Sequence, residues 1–142
     1  MDATCSGVSA AGYPVELVEQ WRRLPLDAGT PAGHAVLSGE AVYLGSAAEA
    51  SRRFPAMFGR AAGPTQRSWA ALPLRAGGVV IGALAVGFAE EREFPPAERR
   101  FLETVAAQCA LAVERSRLYG FAARSARPRR CRAPAGRPAA PR

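Results

Sequence analysis

Between Ser68 and Phe88, two apolar runs flank a pair of glycines, and a long amphipathic stretch follows shortly after. The runs Trp69 to Arg75 and Val79 to Phe88 enclose Ala76-Gly77-Gly78, and glycine supplies the positive φ that a tight hairpin turn requires. Two adjacent antiparallel strands are therefore expected. The second run is apolar at both parities, with Val80, Leu84, Val86 and Phe88 on one face and Val79, Ile81, Ala83 and Ala85 on the other. That pattern predicts a strand covered on both sides, as a central strand is.

The stretch from Pro96 to Tyr119 reads as one helix. Pro lies in its first turn, Glu98 and Glu103 come early, and Arg115 and Arg117 come late, an order that suits the helix dipole. Leu102, Val105, Cys109, Ala112, Ser116 and Tyr119 recur at intervals of three and four. Phe101, Ala106, Val113 and Leu118 widen the apolar surface beside that row. The width is enough to face both a sheet and a second helix.

Shorter elements are expected upstream. Pro14 to Leu24 predicts a helix with Leu17, Val18, Trp21 and Leu24 on one face and Glu16, Glu19, Arg22 and Arg23 on the other. Thr30 can cap a second helix that starts at Pro31 and ends at Gly39. Glu40 to Leu44 fits a strand, and Ser46 can cap a third helix that runs through Phe54 to the interruption at Pro55. From Pro55 to Arg67 the sequence points to no particular element.

Charge divides the chain into two parts. All 19 basic residues are Arg, and neither Lys nor Asn occurs. Residues 1–119 hold 12 Arg and 12 acids, whereas residues 120–142 hold 7 Arg and no acid, so the net charge of +7 belongs to the final segment. That segment has four Pro, one large apolar residue and no periodicity. It is expected to be a disordered tail, because it cannot bury enough surface to offset the entropy of ordering. Its clustered Arg could bind polyanions or nucleic acid by releasing counterions. Arg, Ala, Pro and Gly are also what GC-rich coding sequence yields by default, and a tail without function is the favoured reading. Deleting residues 120–142 is expected to abolish any non-specific polyanion binding, as read by a salt-dependent binding assay. Affinity that survives the deletion would place a basic surface on the remaining chain.

No catalytic constellation emerges. The three Cys, at positions 5, 109 and 131, and the single His34 contain no CxxC pair and cannot supply an ordinary structural zinc set. Cys109 reads as a small core or interface residue. His34 has no acidic partner at helical spacing, which argues against a general base or haem ligand. Gly77, Gly78 and Gly82 lie in a hairpin rather than at a strand-to-helix junction, so they do not form a phosphate loop. The run Glu90-Glu91-Arg92-Glu93 reads as a solvated loop rather than a metal site. No metal and no cofactor are expected. Met1-Asp2 opens without a basic leader, and the longest apolar run, Val79 to Phe88, is far below the ~20 residues of a membrane span. A cytoplasmic protein without membrane contact is expected.

Several segments, in order and spacing, resemble the GAF domain family, the small sensory module of bacterial histidine kinases, transcription regulators and PPM-type phosphatases. They are Leu24-Pro-Leu-Asp27, Thr30-Pro31, Ser38-Gly-Glu-Ala-Val-Tyr-Leu44, Arg53-Phe-Pro55, Ala71-Leu-Pro-Leu74, Gly78-Val-Val-Ile-Gly82 and Phe94-Pro-Pro-Ala-Glu-Arg-Arg-Phe-Leu102, the last leading into Gln108-Cys-Ala-Leu-Ala-Val-Glu-Arg115. The resemblance implies an α/β (α+β) fold: an antiparallel sheet with helices on both faces and a long C-terminal helix, spanning residues 1–119. It begins late relative to the family, which implies an N-terminally shortened copy lacking the usual opening helix and strand.

The resemblance also implies where function would lie. Members that bind small ligands do so between the sheet and the helices crossing its outer face, which maps here onto Leu37 to Arg67. Phe54, Met57, Phe58 and Trp69 are the candidate lining residues for an unidentified small molecule, with a minor core as the simpler alternative. Leu102, Val105, Cys109 and Ala112 are the candidate dimer interface, because the missing opening helix would leave the closing helix short of a partner. Cyclic-nucleotide-binding members carry a signature containing Asn and Lys, both absent here. Bilin-binding members use a Cys usually followed by His, and none of the three Cys has that neighbour. The resemblance thus implies a non-enzymatic sensing or dimerising module, likened to those that associate with a signalling protein. The alternatives are polyanion binding through the Arg-rich tail and the enzymatic branch of free methionine sulfoxide reductases, which relies on clustered Cys.

Overall fold

The computed structural model describes residues 4–6, 11–12, 15–16, 23–25, 27–58 and 66–125. Strand β1 (Thr4–Ser6) pairs antiparallel with β2 (Arg23–Pro25), placing Cys5 opposite Leu24. The main body follows as helix α1 (Pro31–Ser38), strand β3 (Val42–Leu44), helices α2 (Ala47–Arg53) and α3 (Pro55–Phe58), strands β4 (Ser68–Ala76) and β5 (Val79–Phe88), and helix α4 (Pro96–Ser125). Strands β3, β4 and β5 form an antiparallel sheet in that order, with α1, α2 and α3 on one face and α4 on the other.

Local chemistry sets the helix limits. Thr30 is extended at the start of α1, and its Oγ1 accepts from the Gly33 N–H at 3.1 Å, while Pro31 occupies a first-turn position where no donor is needed. Gly39 closes the helix at φ 70°, donating its N–H to the Ala35 carbonyl. Ser46 caps α2 by accepting from the Glu49 N–H, and the Glu49 carboxylate reaches back to accept from the Gly45 N–H at 3.0 Å. Pro55 stops α2 and opens the single turn of α3.

The helix expected from Pro14 does not reach Leu24. Val15 and Glu16 are helical, residues 17–22 lie outside the described residues, and Leu24 sits in β2. Leu24 precedes Pro25, whose ring disfavours helical backbone in the residue before it.

In the hairpin, Gly77 and Gly78 take φ of 57° and 81°, the left-handed pair that matches strand twist. The pairing is regular from Ser68 opposite Phe88 to Leu74 opposite Gly82, and then Arg75 stands opposite Val80, leaving Ile81 as an extra residue on β5. This bulge corrects the face assignment made from parity. Ile81 packs with Leu84 and Phe88 on the α4 face, and Val80 approaches Gly39 at the end of α1.

Among the described residues the central strand is β4, not β5. Ser68 through Leu72 and Leu74 are buried, whereas every residue of β5 is half-buried or exposed. Helices on both faces give β5 partial cover, and that is what apolar residues at both parities reflect. Its outer edge carries no strand among the described residues.

Two core clusters lie on opposite sides of the sheet. Beneath α1, α2 and α3 are Ala35, Val42, Leu44, Phe54, Trp69 and Ala71. Beneath α4 are Ala70, Leu72, Leu74, Phe94, Leu102 and Ala106, with Ala110. Full burial of a side chain such as Leu44 or Leu72 contributes about 1.5–3 kcal/mol.

Helix α4 is longer than its sequence limits suggested. It continues past Tyr119 through Gly120 to Ser125, so the first residues of the Arg-rich segment are helical, while 126–142 lie outside the described residues. An interior Gly costs a helix only about 1 kcal/mol, and the next Pro is not met until Pro128.

Candidate functional site

The four candidate ligand-lining residues meet on the face covered by α1, α2 and α3. Phe54, only 4 % exposed, follows α2 and packs into the core with Trp69, which is 7 % exposed. Met57 packs against the same cluster from α3. Phe58, 42 % exposed, sets its ring edge-on to Trp69 with centroids 6.0 Å apart. Trp69 Nε1 donates to Gln66 Oε1 at 3.1 Å, which satisfies the one polar atom of the ring. The His34 ring lies edge-on to Phe54 with centroids 6.0 Å apart, and the Arg53 guanidinium lies 5.6 Å from the centroid of the Phe54 ring. His34 is thus placed beside an apolar ring rather than an acid.

The four candidate interface residues lie on α4, across the sheet. Leu102 is 7 % exposed and belongs to the core against β4, so its side chain is committed to the sheet. Cys109 is half-buried against the same cluster, Val105 is half-buried, and Ala112 is exposed. Other apolar side chains of this helix are more open, among them Phe101, Leu111, Leu118 and Tyr119.

A third site was not anticipated. The loop Glu90 to Glu93 is exposed, as expected, and its backbone is anchored at Glu90 and Arg92. Buried Ser68 donates its hydroxyl to the Glu90 carbonyl at 2.7 Å, and the Arg92 N–H donates to the Gly45 carbonyl at 3.1 Å. The Arg92 guanidinium lies 4.2 Å from the centroid of Phe88 and pairs with Glu98. Such stacking holds a cation over an aromatic face by its quadrupole. Beside it an open cleft of about 390 Å³ is lined by Tyr43, Glu49, Arg92, Phe94 and Arg99, among others. The only sequence signal for it was the spacing of Arg92 and Arg99 around aromatic Phe94.

Arg99 sits 4.6 Å from the Tyr43 ring centroid and donates from Nε to the Phe94 carbonyl at 2.8 Å. The Tyr43 hydroxyl is buried and has no hydrogen-bond partner among the described residues. Burial raises its pKa above the ordinary 10.0, the Glu103 carboxylate raises it further, and Arg99 opposes both. Because the folded value exceeds the unfolded one, the neutral phenol's contribution to stability is complete below pH 10.0 and is lost as pH rises through the raised value. No helix among the described residues is long and apolar enough to cross a membrane.

A short antiparallel sheet held between several small helices and one long helix, with aromatic residues gathered under the small helices, defines a mixed α/β architecture. The family model of the GAF domain matches residues 2–114. This chain belongs to the GAF domain family. No curated protein matches it.

Solved structures with the same fold include the GAF domain from an Acinetobacter phosphoenolpyruvate-protein phosphotransferase. It aligns with a TM-score of 0.54 at 24% identity, over 69% of this chain and 54% of that one. A free methionine-R-sulfoxide reductase from Neisseria meningitidis, solved with its substrate, aligns with a TM-score of 0.53 at 23% identity, over 68% of this chain and 54% of that one. A type II free methionine-R-sulfoxide reductase from Thermoplasma acidophilum gives 0.50 at 20% identity, over 61% and 56%. The chain spans little more than half the length of each, and likeness at this level of identity establishes the fold alone. Membership of the family fits a sensory or regulatory module, and the reductases among its neighbours share that fold.

Proposed function

We propose that this chain is a non-enzymatic regulatory module of a cytoplasmic signal-transduction pathway, acting through self-association or association with a signalling protein. The observation that carries this reading is the placement of Cys109. It packs with the cluster beneath α4, while the aromatic candidates Phe54 and Trp69 lie in the cluster on the opposite face of the sheet. A thiol reductase needs a thiolate that reaches its substrate and a second thiol to resolve the oxidised sulfur. A cysteine separated by the sheet from the aromatic face does not meet the first requirement.

The competing reading is favoured by the two methionine sulfoxide reductases that share the fold. Replacing Cys5, Cys109 and Cys131 together by Ser discriminates between the two. The wild-type chain is expected to show no thiol-dependent reduction of free methionine sulfoxide, and the triple variant is expected to fold and associate as the wild type does. Turnover by the wild type that disappears in the triple variant would overturn the proposal.

A further inference from the structure

We propose that helix α4 rocks on the sheet between two seatings, one held on the β5 side by Glu98 paired with Arg92, the other on the β3 side by the Tyr43 hydroxyl donating to Glu103. This deepens the regulatory role in the proposed function and rests on it. The observation that carries it is the Tyr43 hydroxyl, which is buried and makes no hydrogen bond among the described residues. A buried donor left unmade costs free energy that a partner would recover, and native structures hold few of them.

An acceptor stands beside it. Arg99 and Glu103 are one helical turn apart, so they share a flank of α4. The Arg99 guanidinium lies 4.6 Å from the Tyr43 ring centroid, while the Glu103 carboxylate acts on the same phenol through space, raising its pKa, without bonding to it. This flank thus offers Tyr43 a cation for its ring and an acceptor for its hydroxyl, and in the seating seen only the cation is used. The opposite flank holds the helix in that seating. There Glu98 pairs with Arg92, which stacks on Phe88 of β5.

At about 100° per residue, Glu98 and Glu103 lie about 140° apart around the helix, with Leu102 and Ala106 between them against the sheet. A roll of about 20° about the helix axis moves a side-chain tip about 6 Å from that axis by about 2 Å. Such a roll lowers Glu103 toward the Tyr43 hydroxyl and lifts Glu98 away from Arg92, so the two contacts exclude one another. Two features favour it. Of the α4 side chains buried among the described residues, Ala106 and Ala110 present only methyl groups, and turning them opens little empty volume. The Arg92–Glu98 pair that the roll breaks is partly exposed to solvent, and ion pairs of that kind hold weakly. The long stem of Arg99 lets its guanidinium stay on the ring throughout.

The test is amide relaxation dispersion by NMR on the full chain, which reads exchange on the microsecond-to-millisecond timescale, with far-UV circular dichroism as the control for folding. The wild type is expected to show exchange at the α4 amides from Arg99 to Ala110, with the second seating populated at about 1–10 %. Glu103→Ala and Tyr43→Phe, which remove the acceptor and the donor, are each expected to abolish that exchange. Tyr43→Phe is also expected to raise Tm by about 2–4 °C, because the unmade donor is gone. Arg92→Ala and Glu98→Gln release the β5 side and are each expected to raise the minor population about threefold. A wild type without exchange in α4, exchange that persists without Tyr43 or Glu103, or a minor population that ignores both β5-side variants overturns the proposal. A Tyr43→Phe variant no more stable than the wild type overturns it too, because water would then already satisfy the hydroxyl in the seating seen. Cysteine-dependent reductase turnover with the exchange intact would overturn the proposed function and leave the rocking in place. Self-association without exchange would do the reverse.

Discussion

Trp69→Ala is expected to destabilise the domain by about 3–5 kcal/mol, the cost typical of removing a buried aromatic ring. Trp69 occupies the first part of the central strand, is nearly inaccessible, and touches the elements on its face through Phe54 and Phe58. The substitution also removes the donor to Gln66. Since small domains are stable by only about 5–15 kcal/mol, and each 1 kcal/mol moves Tm by about 2–4 °C for a chain near 150 residues, the transition should fall by roughly 6–20 °C. Urea titration followed by circular dichroism measures it. The experiment separates the two roles given to the aromatic set. A ring that merely lines a ligand site would cost less than about 1 kcal/mol, and Trp69 would then be a binding residue rather than the keystone of that face.

Gly33→Ala is expected to destabilise by about 2 kcal/mol, against the usual sign for a helical position. Within a helix, Ala is ordinarily better than Gly by about 1 kcal/mol. Here a methyl group at residue 33 would fall inside the van der Waals envelope of the Asp27 carbonyl oxygen and 3.0 Å from Thr30 Oγ1. The first contact is with backbone, which cannot swing aside. Relief requires moving the turn before α1 or breaking the cap that Thr30 makes with the Gly33 N–H. Overpacking costs about 1–3 kcal/mol and a lost cap about 1 kcal/mol, which together outweigh the propensity gain. Thermal unfolding of the variant checks the sign. A raised Tm would show that the loop at Asp27 yields freely.

What the sequence disclosed was local. Thr30 with Pro31 and Gly39, Ser46 before α2, and the paired glycines of the hairpin each carry their own geometric requirement, and each stands where that requirement placed it. What it concealed depended on neighbours distant in sequence. Apolar residues at both parities of β5 could not distinguish a central strand from an edge with a helix on each side, nor reveal that a bulge at Ile81 exchanges the faces of Val80 and Ile81. The row on α4 was read as an interface, but its first member, Leu102, is bound into the sheet, because three-and-four spacing does not say which apolar flank the sheet will take. Phe54, Met57, Phe58 and Trp69 were grouped only through the family resemblance, which placed them between the sheet and the helices on its outer face. Arg92 was not, since its neighbours Glu90, Glu91 and Glu93 suggested water, and only the fold brings it onto Phe88.

Helix α4 leaves the sheet long before it ends. Its last core residue is Ala110, and from Leu111 to Tyr119 every side chain is exposed, while the helical backbone runs on to Ser125. About 15 residues of helix therefore lie beyond its last core contact among the described residues, a length of about 22 Å at ~1.5 Å per residue. A helix bends far less readily than the loops around it, so displacement at its root is carried to its tip and enlarged there. A tilt of about 5° where Leu102 and Ala106 meet β4 moves Ser125, about 30 Å along the helix, by about 2.7 Å, on the order of the helical shifts by which switching proteins signal. The side chains that set this pivot are Phe94, Leu102 and Ala106, and a substitution at any of them would be felt by whatever the far end of the helix touches.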